Sequence, residues 1–186
     1  MHHVTALLDV DHDREVRRLT CELAEALGID EAAVRQGRPH ITLVSYTGLA
    51  PEAAVAALAP VARDLSPVWV RAHGYGVFTG DTHSELSLHV MVVRTRPLDE
   101  LHRRIRAALL AAGGTPDGTT EPKVWTPHIT VLDRGLDPAL LGRAVELLAA
   151  RPHRSWRVGI ARLAVTRRAA AEATGEDSDH LTLDLG

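Results

Sequence analysis

Pro39-His40-Ile41-Thr42-Leu43 returns further along the chain as Pro127-His128-Ile129-Thr130-Val131. Each copy is rich in aliphatic residues and opens on a proline. A strand tolerates proline at its first position, where no ladder donor is needed. Side chains alternate across a strand, so His40 and Thr42 share one face while Ile41 and Leu43 take the other. The second copy divides its residues the same way. Two such strands set side by side would put two imidazoles and two hydroxyls into one cleft.

A single His-x-Thr carries little information. His3-Val4-Thr5 and His180-Leu181-Thr182 match it too, and about one such triplet is expected by chance in a chain of this composition. Requiring the preceding proline and the flanking apolar residues lowers that expectation to about 0.01 per chain. The other two triplets lack the proline and read as ordinary strand segments.

The elements around the two motifs repeat as well. Residues 3–10 read as a strand. Val16, Leu19, Leu23 and Leu27 recur at helical spacing within 12–28, with Gly28 as a C-cap. The first motif strand spans roughly 39–46. Pro51 opens a helix carrying Val55, Leu58, Val61 and Leu65, and 68–78 is a strand. From 85–93 the order begins again. A strand is followed by a helix on Leu98, Leu101, Ile105 and Leu109 that stops at Gly113-Gly114. A Gly/Pro/Thr-rich stretch, 113–122, reads as a mobile connection. The second motif strand follows, and Asp137-Pro138 reads as an N-cap with proline at N1. Strands are expected at 155–167 and 180–185, with a turn at 79–83 and an acidic loop at 172–179. The prediction is an α+β fold in one domain, 1–186. It comprises two pseudo-symmetric β-α-β-α-β lobes from internal repeats at about 3–78 and 85–186. Mostly antiparallel sheets would line a central groove, with helices outside.

Composition bounds the function. The chain has 186 residues, 45% hydrophobic and 24% charged, as expected of a soluble domain. Its formal charge of -3 gives no overall basic field of the kind a general nucleic-acid binder shows, so any polyanion contact is local. Cys21 is the single cysteine, which excludes an internal disulfide; its place on a helix suggests apolar surroundings. No apolar run approaches membrane-spanning length, and no signal pattern opens the chain, so a cytoplasmic monomer is expected. Eleven histidines invite a metal reading, but none are paired at tight ligand spacing with carboxylate support, and no metal or other cofactor is expected.

Two histidines and two hydroxyls suit a phosphate diester. Histidine works as base or acid near neutral pH, and each well-placed proton transfer is worth roughly 10²–10⁴ in rate. A neutral and a protonated imidazole on opposite sides of phosphorus serve an in-line displacement. Threonine hydroxyls donate to the non-bridging oxygens and stabilise their charge. The arginine-rich stretch 151–168 contains Arg151, Arg154, Arg157, Arg162, Arg167 and Arg168 without an acid; it reads equally as an RNA track or a solvated strand edge. Arg134 is a candidate to reach a phosphate from its strand end. Tyr46, Tyr75 and Trp125 are candidates to stack on a base, and His73 and His89 to line the groove.

The paired motifs, their spacing and the repeat resemble the two-histidine (2H) phosphoesterase superfamily, which includes 2′-5′ RNA ligase-like proteins and RNA 2′,3′-cyclic phosphodiesterases. The resemblance spans nearly the whole chain. It implies that His40 and His128 are the acid/base pair and Thr42 and Thr130 the phosphate ligands. It also implies the bilobal fold and an activity that opens 2′,3′-cyclic phosphates at RNA ends or on nucleotides. A binding module with little turnover and a 2′-5′ RNA ligase are the alternatives. The chain lacks a Lys-x-Asp-Gly motif, which argues against adenylation of a lysine.

Overall fold

The computed structural model describes residues 1–30, 38–79, 86–151, 155–167 and 181–186; the side chains of Arg134 and Arg167 are outside the description. The turn residues 80–83, the acidic loop 172–179, Arg154, Arg168 and His180 also lie outside it. In chain order the elements are β1 (His2–Leu8), α1 (Val10–Leu27), β2 (His40–Thr47), α2 (Pro51–Arg63), β3 (Val68–Thr79) and β4 (Leu86–Val92). They continue with α3 (Arg96–Ala111), β5 (Thr115–Pro116), β6 (His128–Leu136), α4 (Leu141–Ala149), β7 (Ser155–Arg167) and β8 (Leu181–Asp184).

Local chemistry sets the boundaries. The Asp9 carboxylate accepts from the His12 backbone N–H and starts α1, which ends at Gly28 in the left-handed region (φ 68°). Thr95 caps α3 through its hydroxyl, with proline in the first turn. Asp137 caps as expected, but it starts a single 3₁₀ turn, Pro138–Leu140, before α4 begins at Leu141. Tighter turns of this kind often open a helix. The 113–122 stretch differs from expectation. Its β5 pairs with the end of β2, Tyr46 opposite Pro116 and Thr47 opposite Thr115. The buried Thr120 hydroxyl accepts from the Ser45 backbone N–H at 3.4 Å, so the stretch is bound into the sheet rather than hanging from it.

Among the described residues all strand pairings are antiparallel, and the fold is α+β, with one eight-stranded sheet and four helices. The path runs β1-β2-β6-β4-β3-β7-β8, and β1 also pairs with β7, so six strands close into a ring. The two repeats exchange their last strands. β3, from the first, pairs with β4; β7, from the second, pairs with β1. Each half-sheet is therefore built from both repeats, a point hydrophobic periodicity does not encode because it specifies faces rather than partners. The exchange is symmetric. Ile41 faces Ile129 where β2 meets β6, and Val70 faces Val158 where β3 meets β7. Both pairs are separated by the interval that separates His40 from His128, so one pseudo-two-fold axis passes through both junctions.

Cross-strand partners share a face, which lets the register sort the whole ring. Val4, Ala6, Ile41, Ile129, Val90, Val92, Ala72, Val70, Val158, Leu163 and Val165 form one continuous buried face. Buried residues of the helices, among them Leu19, Leu23, Leu58, Leu101 and Ile105, belong to the same core. The opposite face carries the polar residues of both motifs. A one-residue slip of β2 or β6 would bury histidine and expose isoleucine, losing roughly 1.5–3 kcal/mol per apolar side chain in addition to the cost of the buried imidazole.

Candidate active site

β2 and β6 meet at a single ladder pair, Ile41 opposite Ile129. In an antiparallel register, the positions on either side of that pair set His40 beside Thr130 and Thr42 beside His128. Directly opposite residues on one face are about 5 Å apart at Cβ, and diagonal neighbours about 7–8 Å. The four motif side chains thus form a square on the polar face, with the histidines on one diagonal. All four are half-buried.

Each histidine is held in the same way. His40 Nδ1–H donates to the Arg38 carbonyl at 2.7 Å, and His128 Nδ1–H donates to the Thr126 carbonyl at 2.7 Å. A carbonyl only accepts, so both rings carry their proton on Nδ1, and in the neutral form Nε2 is the basic nitrogen. Burial holds the His128 pKa below the ordinary histidine value, against the Thr126 carbonyl and Asp133, which raise it.

Sequence reasoning offered His89 only as a candidate to line the groove, and it stands against His128 with ring centroids 4.4 Å apart. It lies opposite Thr130 on β4 and is 3% exposed. Its Nε2 is 2.8 Å from Ser87 Oγ, within hydrogen-bond distance. Burial, and secondarily the charge of His128, push its pKa down to about 3, so it is neutral at physiological pH. Phe78 packs edge-on against His128 at 4.8 Å and lies 4.5 Å from His89. The signal for His89 was the alternation of Ser87, His89 and Met91 on a strand whose other residues are apolar; it gave the face but not the neighbour.

The remaining candidates separate. Tyr46 is fully buried, and Trp125 is 4% exposed, so neither offers an open ring face to a base. Trp125 is instead a support: its Nε1–H donates to the Thr42 carbonyl at 3.0 Å, and His102 stacks on it at 4.0 Å. Arg134 lies in β6 with its side chain outside the description. Tyr75 is exposed. The arginine-rich stretch is not one surface. Arg151 pairs with Glu22, Arg162 pairs with Asp184, and Arg157 stacks on Trp69. Cys21 is half-buried on α1. Among the described residues no cluster of three or more His, Cys, Asp or Glu is arranged to hold a metal ion, and no helix is long and apolar enough to cross a membrane.

An antiparallel α+β ring presenting paired His-x-Thr strands defines a two-histidine phosphoesterase architecture. The family model of the 2′-5′ RNA ligase superfamily matches residues 8–172, and the chain belongs to that superfamily. Its fold resembles that of TT0787 from Thermus thermophilus (TM-score 0.64, 17% identity, 99% of this chain and 97% of that one). It also resembles E. coli LigT complexed with 3′-AMP (TM-score 0.58, 16% identity, 99% and 96%) and LigT complexed with NADP+ (TM-score 0.57, 19% identity, 98% and 94%). No curated protein matches the chain in sequence.

Proposed function

We propose that the protein is a metal-independent phosphodiesterase that opens 2′,3′-cyclic phosphates of RNA ends or nucleotides, with His40 and His128 as its acid/base pair. The observation that carries this reading is the Ile41–Ile129 register, which turns both motifs to one face. The matching Nδ1–carbonyl bonds support it, because they leave Nε2 as the reacting nitrogen of each neutral ring. One neutral imidazole takes a proton from water as its oxygen attacks phosphorus. The other, protonated, gives its proton to the departing ribose oxygen. The lowered pKa of buried His128 suits the role of base. Thr42 and Thr130 donate to the non-bridging oxygens. LigT has been crystallised with 3′-AMP, and a nucleotide monophosphate of that kind is what such a reaction would release from a cyclic mononucleotide.

The test is incubation of the full chain, in EDTA, with a 2′,3′-cyclic-phosphate-ended oligonucleotide and a 2′,3′-cyclic mononucleotide. Phosphorus NMR should show conversion to a phosphomonoester. Failure to open either substrate would overturn the proposal.

A further inference from the structure

The β3–β7 junction, at the other end of the pseudo-two-fold axis, carries groups that the acid/base chemistry does not use. Its register sets Trp69 opposite Gly159, Arg71 opposite Arg157 and His73 opposite Ser155. The alternate residues Val68, Val70, Ala72 and Val158 are core, so these six positions lie on the polar face, as the motifs do. That face is continuous: His128 is opposite Met91 on β4, and Met91 adjoins β3 near His73. Two strand spacings and one two-residue step put Arg71 roughly 10–15 Å from His128.

Three observations point to a ligand there. Trp69 is 54% exposed, although it is a paired residue of β3, opposite Gly159. Its indole lies across Gly159, where a Cβ would come within 3.3 Å of two ring carbons, while the Arg157 guanidinium stacks over the ring at 4.7 Å. Arg71 and Arg157 face each other directly, a like-charge pair that destabilises a sheet. Their neighbours Arg151 and Arg162 each hold a carboxylate, Glu22 at 2.6 Å and Asp184 at 2.9 Å. Among the described residues Arg71 and Arg157 pair with none. Asp9, beside this platform, accepts from the Gly159 N–H and the His12 N–H.

We propose that this end of the groove is a second binding subsite for single-stranded RNA, in which Trp69 stacks on an unpaired base and Arg71 and Arg157 hold backbone phosphates. A phosphate between the two guanidinia turns their repulsion into attraction, and an exposed indole with a cationic neighbour is the platform that unpaired bases use. A cyclic mononucleotide seated at the histidines is too short to reach it; an oligonucleotide spans both. The subsite therefore deepens the proposed function, and rests on it, by making oligonucleotides the preferred substrate class.

The test uses the full chain as wild type, W69A, W69F, the double variant R71A/R157A, and R143A as a remote surface control. Two quantities are read. The first is the ratio of kcat/KM for a short cyclic-phosphate-ended single strand to that for 2′,3′-cyclic CMP. The second is the Kd of a fluorescent single-stranded RNA ending in a 3′-phosphate. The ratio and the affinity should both fall about tenfold or more in W69A and in the double arginine variant. W69F should retain most of both, and R143A should change neither. Losing two phosphate contacts should flatten the salt dependence of log Kd by about 1.4 in the arginine variant but not in W69A. Unchanged ratio and affinity in W69A and R71A/R157A would overturn the subsite, as would equal losses in R143A. If wild type opens neither substrate, the catalytic reading falls, and the binding measurement alone decides the subsite.

Discussion

The two motif strands have the same backbone and unlike neighbours. On the first, His40 and Thr42 lie opposite Leu7 and Thr5 of β1. On the second, His128 and Thr130 lie opposite Met91 and His89 of β4. Both histidines are pinned through Nδ1 to the carbonyl two residues back. The first half-site thus presents a hydroxyl and an aliphatic chain where the second presents an imidazole and a thioether, with Phe78 added. The shared part leaves Nε2 as the basic nitrogen of each neutral ring. The unshared part packs His89 and Phe78 against His128, whose burial holds its pKa below the ordinary histidine value.

The comparison is broken most severely by removing a ring. His40→Ala and His128→Ala should each lower kcat by about 10³-fold or more, and the double variant should be little worse than either, because the pair acts as a unit. Steady-state kinetics on 2′,3′-cyclic CMP, with unfolding curves to show that each variant still folds, would check this; full activity in the double variant would end the proposal. Thr42→Val and Thr130→Val should come next, with about 10–100-fold losses in kcat as one donor to the phosphate disappears. A loss confined to one threonine would mean that the phosphate sits in one half-site rather than across both.

His89 sharpens the comparison. In wild type the acid limb of kcat/KM should lie below the ordinary histidine pKa, since burial lowers that of His128. His89→Ala admits water beside His128 and should move that limb upward, whereas Thr5→Ala, at the matching place in the other half, should not. A stability effect accompanies it. The folded-state pKa of His89 is depressed to about 3, so its neutral burial supports the fold fully above the unfolded value near 6.5. That support is lost as the pH falls from there toward 3. His89→Leu should flatten the decline of Tm between pH 6.5 and 4, and an unaltered decline would show that other groups control it. The smallest change should come from Trp125→Phe. It removes the hydrogen bond to the Thr42 carbonyl and should cost about 1 kcal/mol in urea unfolding with little loss of kcat.

Much of this was legible because strand alternation is strict. Once Ile41 and Ile129 were assigned to a core, His40, Thr42, His128 and Thr130 had to share the other face, and the fold agrees. The Gly28 helix end and the Asp137 cap were read from short-range signals, whereas the Asp9 cap was missed because residues 3–10 read as one strand. What could not be read depends on partners far along the chain. His89 is a neighbour of His128 only because β4 lies beside β6, and Tyr46 and Trp125 are interior only because β5 and the segment after it fold over β2. Trp69, Arg71 and Arg157 join one surface only through the pairing of β3 with β7. An aromatic or an arginine in a strand pattern looks the same whether its face is covered or open.

The strand exchange has a consequence for how the molecule is made. A ribosome delivers β1 long before β7, yet His2 pairs with Arg167 and Val68 with Ile160. The half-sheet of β2, β1 and β7 is not complete until residues 155–167 emerge, and until then β1 and β3 each wait with an open edge. Assembly is governed by long-range encounters and is correspondingly slow. A gene cut between β3 and β4 would yield two polypeptides, each missing the strand its own half requires, so that only their meeting could produce a folded particle.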